Sequence, residues 1–107
     1  MATLDEYATK YQSVRMERRD GILQITLHTN GDSLQWGGTP HEELPQVFHD
    51  IGSDRENRVV IMTGAGDAFT GPPGTRESRP RRSPNQWDKT YWEGKHLLMN
   101  LLDIEVP

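Results

Sequence analysis

The chain has 107 residues, of which 33% are hydrophobic, and it carries a net charge of −4. This length suits one small domain, and the acidic balance excludes any reason to expect nucleic acid or a membrane surface as a partner. Because the sequence contains no cysteine, disulfides, thiolate metal sites and a cysteine nucleophile are excluded as well. A polar amino terminus and the lack of a long apolar run predict a cytoplasmic protein.

The first predicted elements are a short polar helix over residues 4–12 and a β-hairpin. Apolar and polar residues alternate from Val14 onward and again over Ile22–His28, which is the period of a half-buried strand. The buried face of the second strand is predicted to consist of Leu23, Ile25 and Leu27. Asp20-Gly21 lies between the two runs and is typical of a tight hairpin turn.

A helix is predicted next, after a loop over residues 33–38. Thr39, Pro40 and Glu42 have the order of a capping box with proline at the first helical position. The apolar stripe of this helix is predicted to consist of Leu44, Val47, Phe48 and Ile51. Pro45 removes a backbone hydrogen bond inside a helix, so the helix is expected either to kink there or to begin near Glu43.

The second half of the chain is predicted to contain a strand, a loop and a helix. The apolar run Val59–Met62 predicts a strand buried on both faces, reached through a β-α-β crossover. Residues 70–84 are predicted to be a mobile loop, since they hold four arginines and few apolar residues. Ser83-Pro84 is typical of a helix start. This last helix is expected to pack through Trp87, Tyr91, Leu98 and Leu102.

One segment of the chain resembles a known family. The run VVIMTGAGDAFTG over residues 59–71, preceded by a helix and the linker Asp-Arg-Glu-Asn, resembles the crotonase superfamily, which includes enoyl-CoA hydratases and isomerases. The resemblance implies an α/β fold of the crotonase type, a ββα spiral. Residues 1–107 would form a single truncated domain from its amino-terminal part. It also implies a homo-oligomer, either a trimer or a hexamer.

Four further segments resemble the oxocamphor hydrolase type, whose members cleave a carbon–carbon bond of cyclic β-diketones by a retro-Claisen reaction. These segments are Ser33–Trp36, Phe48–Ile51, Ser53–Asn57 and Leu101–Pro107. In typical crotonases the segment after the Ala-Phe pair supplies a backbone N–H to an oxyanion hole. This position falls on Pro73, which has no N–H to donate, so the resemblance disfavours a standard enoyl-CoA hydratase.

The resemblance instead implies that Trp36 contacts the substrate, because an indole N–H can donate to a carbonyl oxygen. The predicted substrate-binding residues are Trp36, Phe69, Gly71, Pro72, Pro73 and Gly74. The alternatives are that Trp36 only covers the start of the helix and that the glycine-proline run is a plain surface turn. The general acid or base and the second oxyanion donor are implied to follow Pro107, so no catalytic residue is expected in this chain.

Three functions remain open at this point. The first is a hydrolase acting on a small-molecule cyclic diketone, and the second is a hydratase or isomerase acting on a CoA thioester, whose phosphates suit the arginines of residues 76–82. The third is an inactive module that acts by association, and the chain alone is expected to be inactive in each case. The four histidines show no metal-binding spacing, and neither a metal nor a cofactor is expected.

Overall fold

The fold is described from a computed structural model, which covers residues 3–71 and 83–107. In chain order its elements are α1 (Leu4–Tyr7), β1 (Val14–Arg19), β2 (Ile22–Leu27), α2 (Gly38–Ser53), β3 (Val59–Gly64) and α3 (Pro84–Leu102). Within this part of the chain the strands form one sheet in the order β1-β2-β3. Strand β1 is antiparallel to β2, and β2 is parallel to β3. The predicted α/β fold, with a hairpin, a β-α-β unit and a terminal helix, is confirmed.

The hairpin between β1 and β2 follows directly from its turn residues. Asp20 and Gly21 have φ angles of 53° and 80°. Positive φ at both central residues produces the primed turn, whose twist matches that of the two flanking strands. The strands pair from Arg19 opposite Ile22 to Val14 opposite Leu27, as the alternation of apolar residues predicted.

Helix α1 ends at Tyr7, so the prediction of a helix over residues 4–12 was wrong in its extent. The backbone amides of Gln12 and Ser13 each donate to the carboxylate of Glu43, at 2.9 Å in both cases. In a longer helix these two amides would donate to backbone carbonyls. Because they donate to Glu43 of α2 instead, the helix ends and the chain continues into β1.

The hydrophobic core lies between α2 and one face of the sheet. The predicted strand face and the predicted helix stripe are both buried, which confirms these two predictions. The buried residues are Leu23, Ile25 and Leu27 on β2, with Leu44, Val47, Phe48 and Ile51 on α2. Burial of one such side chain stabilises a fold by about 1.5–3 kcal/mol, so this contact is a main source of stability.

The start of α2 differs from the prediction. The helix begins at Gly38 with Gly37 as its N-cap, and no side chain caps it. Thr39 lies inside the helix, and the carboxylate of Glu42 is ion-paired with Lys89 of α3 at 2.5 Å. The predicted capping box is therefore wrong, because a tertiary contact holds its acidic member. The alternative start near Glu43 is also wrong, since the helix already begins at Gly38 and continues through Pro45.

Strand β3 is exposed where the sequence predicted burial on both faces. Val59, Ile61 and Met62 are exposed, Ile61 to 46%. The reason is its position: β3 is an edge strand of the described sheet, and α2 covers one face only. Ile61 faces away from α2, because the residues in register with the buried Leu23 and Ile25 are Val60 and Met62.

Helix α3 begins as predicted but packs through a different face. Ser83 accepts a hydrogen bond from the amide of Gln86 at 3.3 Å, and the Gln86 side chain accepts from the Ser83 amide at 2.7 Å. This reciprocal pair is a capping box. The predicted packing stripe is exposed, with Leu102 at 82%, so it is not the face through which the helix packs in the described chain. The helix instead contacts α2 through a face that contains Glu93 and Leu97.

A buried polar cluster ties α1, β1 and the end of α2 together. The Tyr7 hydroxyl donates to Asp54 Oδ2 at 2.6 Å, and Arg18 donates to the same oxygen at 2.7 Å. Asn57 accepts from Arg18 at 2.8 Å and donates to the Tyr7 oxygen at 3.2 Å. Burial, together with the Asp54 carboxylate, raises the pKa of Tyr7 to about 12. Burial by itself raises the pKa of Asp54, but the hydrogen bonds from Tyr7 and Arg18 outweigh it and lower that pKa.

Two further sequence predictions concern a mobile loop and the lack of a membrane span. Of the loop predicted over residues 70–84, positions 72–82 lie outside the described residues. No helix in the described ranges has both the length and the apolar character required to cross a lipid bilayer.

Candidate functional site

The candidate site lies where the two parallel strands end. Leu27 and Gly64 are paired in register at the carboxyl ends of β2 and β3, and the Ala65 amide donates to the Leu27 carbonyl at 2.9 Å. The loops that follow span residues 28–37 and 65–71. Ligand sites of α/β sheets are commonly built from the loops at this edge, so these two loops form the candidate site.

Two hydrogen bonds join the loops into one surface. The Gly71 amide donates to the Leu34 carbonyl at 2.7 Å, and the Ser33 hydroxyl donates to the Ala65 carbonyl at 3.0 Å. Leu34 itself is fully buried in the core. Each loop is thereby positioned by the other, and both are anchored to the sheet.

The first loop is also held by contacts within itself. The Gly31 amide donates to Nδ1 of His28 at 3.0 Å, and the Gln35 amide donates to the Thr29 hydroxyl at 2.9 Å. These bonds satisfy backbone groups that a loop would otherwise leave to water. The loop therefore presents its aromatic residue, Trp36, from an ordered backbone.

Glycines allow the second loop to approach closely. A side chain at Gly64 would place its Cβ 2.3 Å from the carbonyl oxygen of Phe69. Gly66 has a φ of 71°, and a Cβ there would lie 2.5 Å from Asp32 Oδ1 and 2.7 Å from Ser33 Oγ. All three distances are shorter than nonbonded contacts permit, so the turn after β3 requires glycine at these positions.

The structure brings together some of the predicted site residues. Trp36 lies in the first loop and is 40% exposed, while Phe69 lies in the second loop and is 51% exposed. Gly71 is half-buried and uses its N–H in the bond to Leu34. The other three predicted residues, Pro72, Pro73 and Gly74, lie outside the described residues. Two exposed aromatic side chains on interlocked loops can contact a ligand held at this edge of the sheet.

Trp36 packs against His41, and His41 pairs with Glu93; the sequence indicated neither residue. His41 of α2 packs against the indole in an edge-to-face arrangement, with ring centroids 6.0 Å apart. Its Nδ1 lies 2.9 Å from Glu93 Oε1 of α3. His41 and Glu93 are 52 positions apart, so no local pattern could have paired them. Across residues 3–71 and 83–107, no three His, Asp or Glu side chains form a group that could hold a metal ion.

Comparisons with solved structures identify proteins with the same architecture. The chain is 51% identical to ABDH, a β-diketone hydrolase from the cyanobacterium Anabaena, over 95% of this chain and 41% of that one, with a TM-score of 0.87. No protein-family model and no curated protein sequence matches the chain.

Two enoyl-CoA hydratase structures share the fold at lower identity. An enoyl-CoA hydratase/isomerase from Mycobacterium paratuberculosis is 19% identical, with 90% of this chain and 39% of that chain covered and a TM-score of 0.71. An enoyl-CoA hydratase from Bacillus anthracis is 21% identical, with 90% and 38% covered and a TM-score of 0.68. The chain spans about two fifths of the length of these relatives. From the strand order, the glycine turn after β3 and the 51% identity, we conclude that the chain belongs to the crotonase superfamily.

Proposed function

We propose that the whole protein hydrolyses a carbon–carbon bond of a cyclic β-diketone. The 51% identity to a β-diketone hydrolase is the observation that carries the proposal. That hydrolase is bound to (S)-3-oxocyclohexyl acetic acid, which contains one ketone and one carboxylic acid. Hydrolytic cleavage of a β-diketone leaves these two groups. Since the chain spans 41% of that relative, the activity is proposed for the whole protein.

The proposed reaction is a retro-Claisen cleavage with water as the second reactant. Water adds to one carbonyl carbon, and the bond from that carbon to the carbon between the carbonyls breaks. The electron pair passes to the latter carbon, forms an enolate with the remaining carbonyl, and takes up the proton lost by water. The product is a keto acid, so diketone and water account for every atom and no cofactor is required.

In this proposal the indole N–H of Trp36 donates to a carbonyl oxygen of the substrate. The indole is a donor only, which suits an oxygen that gains negative charge as the bond breaks. Trp36 is exposed on an ordered loop, and this supports the role. Phe69 and Gly71, with Pro72, Pro73 and Gly74, are proposed as the wall of the same pocket. The groups that move protons are assigned to the rest of the protein.

We also infer that the whole protein is a cytoplasmic homo-oligomer, a trimer or a hexamer. Helix α3 exposes large apolar side chains that a monomer would leave in water. These side chains are Trp87, Tyr91, Leu98 and Leu102. The net charge of −4 is ordinary for a cytosolic protein and agrees with the cytoplasmic assignment.

The proposed activity is tested with the full-length protein and a cyclic β-diketone, by following ring opening. We expect turnover in the wild type and a loss of about 10²-fold or more in kcat for Trp36→Phe, because removal of one oxyanion donor has an effect of this order. Trp92→Phe makes the same chemical change on α3, where the ring stacks on His96. This control should keep the wild-type rate.

Two results would contradict the proposal. One is a wild-type protein that leaves cyclic diketones intact but hydrates or isomerises a CoA thioester, which would establish the hydratase alternative. The other is equal activity of the Trp36→Phe and Trp92→Phe variants, which would remove Trp36 from the site.

A further inference from the structure

Helix α3 buries an acid and exposes its large apolar residues. Glu93 is 7% exposed and is the one buried residue of Pro84–Leu102, a helix that the structure describes in full. A buried carboxylate is unfavourable unless charged or hydrogen-bonding groups compensate for the lost water. The position of Glu93 therefore needs a specific partner.

The partner of Glu93 is the imidazole of His41. Nδ1 of His41 lies 2.9 Å from Glu93 Oε1, and Lys89 Nζ lies 3.9 Å from the other carboxylate oxygen. We assign Nδ1 of His41 as the donor, because a carboxylate oxygen accepts hydrogen bonds. This bond sets both the tautomer and the orientation of the ring, since the proton on Nδ1 must point at Glu93.

The oriented ring of His41 is in turn the surface against which Trp36 packs. The planes of the two rings are inclined by 78°, with centroids 6.0 Å apart. Edge-to-face packing of this kind depends on ring orientation, so a turn of the imidazole changes the contact offered to the indole. Trp36 is on an exposed loop, and His41 is on the rigid helix that follows it. The contact therefore links the loop to two helices.

We propose that Glu93 is a positioning residue for Trp36 and acts through the ring of His41. Glu93 holds the Nδ1–H tautomer of His41, and the oriented imidazole holds the indole in the direction required for donation to the substrate. The inference rests on the proposed function only in the step that gives Trp36 a substrate contact. The positioning itself is a property of the unliganded protein.

The test uses Glu93→Gln in the full-length protein, with Glu42→Gln as the matched control. Glu42 is the residue after His41 on α2, binds Lys89 at 2.5 Å and is exposed. Nitrogen-15 shifts of the His41 ring report the tautomer, and the indole N–H resonance of Trp36, identified by its absence in Trp36→Phe, reports the position of the indole. We expect Glu93→Gln to alter both signals, and Glu42→Gln to alter neither.

Activity adds a second readout. Because misplacement of a positioning group by about 1 Å can lower a rate by up to about 10²-fold, kcat with the diketone should fall about tenfold or more in Glu93→Gln. An indole signal that is unchanged while the His41 tautomer changes would overturn the proposal. A protein that cleaves no diketone, but whose Trp36 resonance still follows Glu93, would contradict the proposed function and support the positioning role.

A second variant covers the case in which Glu93→Gln does not fold. His41→Phe keeps an aromatic ring against Trp36 but removes the bond to Glu93. If Glu93 acts through His41, the Trp36 resonance moves in His41→Phe, and Glu93→Asp in that background moves it no further. An additional shift in the double variant would show that Glu93 reaches Trp36 by another route and would overturn the proposal.

Discussion

At the scale of single residues, the buried polar cluster shows how one tyrosine can join distant parts of the chain. Tyr7 is fully buried and its hydroxyl contacts both Asp54 and Asn57. Every buried side-chain nitrogen and oxygen of the described residues has a hydrogen-bond partner. The cluster is therefore complete, and removal of any member takes a hydrogen bond from another buried group.

We predict that Tyr7→Phe lowers the free energy of unfolding by about 1.5–3 kcal/mol, the usual contribution of a hydrogen bond to a charged group. The pKa of Tyr7 is raised from 10.0 to about 12 in the folded protein, so the folded state keeps a proton that the unfolded state loses. This stabilisation is complete below pH 10 and is lost as the pH rises toward 12. Urea unfolding at several pH values measures it.

The matched control for this prediction is Tyr91→Phe, because Tyr91 is exposed on α3. That variant should unfold at the wild-type urea concentration and show the wild-type loss of stability above pH 10. The hydrogen-bond argument would be wrong if Tyr7→Phe retained the full wild-type loss between pH 10 and 12.

At the scale of secondary-structure elements, the turn after β3 is the point where backbone packing is tightest. Gly64 ends the strand, and the backbone of Ala68 and Phe69 folds back over it. Backbone atoms cannot move aside as a flexible side chain can, so a methyl group at this position must displace the whole turn. The turn carries Phe69 and the second loop of the candidate site.

We predict that Gly64→Ala destabilises the fold by about 1–3 kcal/mol, the range for overpacking a well-packed position. Gly38→Ala is the control, since nothing lies within 4 Å of a Cβ at that helical position. Thermal unfolding of the two variants checks the prediction. Equal melting temperatures for both variants would show that the turn accommodates the extra methyl group without a loss of stability.

At the scale of the whole molecule, the described residues form two apolar surfaces that face solvent. One is the α3 stripe of Trp87, Tyr91, Leu98 and Leu102, and the other is the sheet face that includes Ile22 and Ile61. Exposed apolar patches on this scale mark contact surfaces in folded proteins. They also agree with a composition that supplies a thin core for 107 residues.

We predict that the 107-residue chain self-associates, and that Leu98→Glu combined with Leu102→Glu shifts it toward the monomer by placing charge on the α3 stripe. Light scattering coupled to size exclusion measures the mass over a range of concentrations. Arg55→Glu makes the same total change in charge at an exposed residue outside α3 and should leave the mass unchanged. A wild-type chain that is monomeric at every concentration would contradict the prediction.

Features with local causes were predictable from the sequence. The hairpin follows from Asp20-Gly21 and the alternation on either side, and the core face of α2 follows from its 3.6-residue period. Helix α3 begins at Pro84 because Ser83 caps the amides of its first turn. A family resemblance also indicated Trp36 and Phe69 as substrate-binding residues; the structure places both on exposed loops, and their role stays a prediction.

Features that depend on distant partners required the tertiary structure. The carboxylate of Glu42 forms an ion pair with Lys89 in place of its predicted cap, and the backbone amides after α1 donate to the carboxylate of Glu43. The burial of Glu93, and with it the link from α3 through His41 to Trp36, was equally invisible in the sequence. A period or a cap is determined by neighbouring residues along the chain. The choice of which helix face is buried, and which charge meets which, is determined by surfaces that meet only after folding.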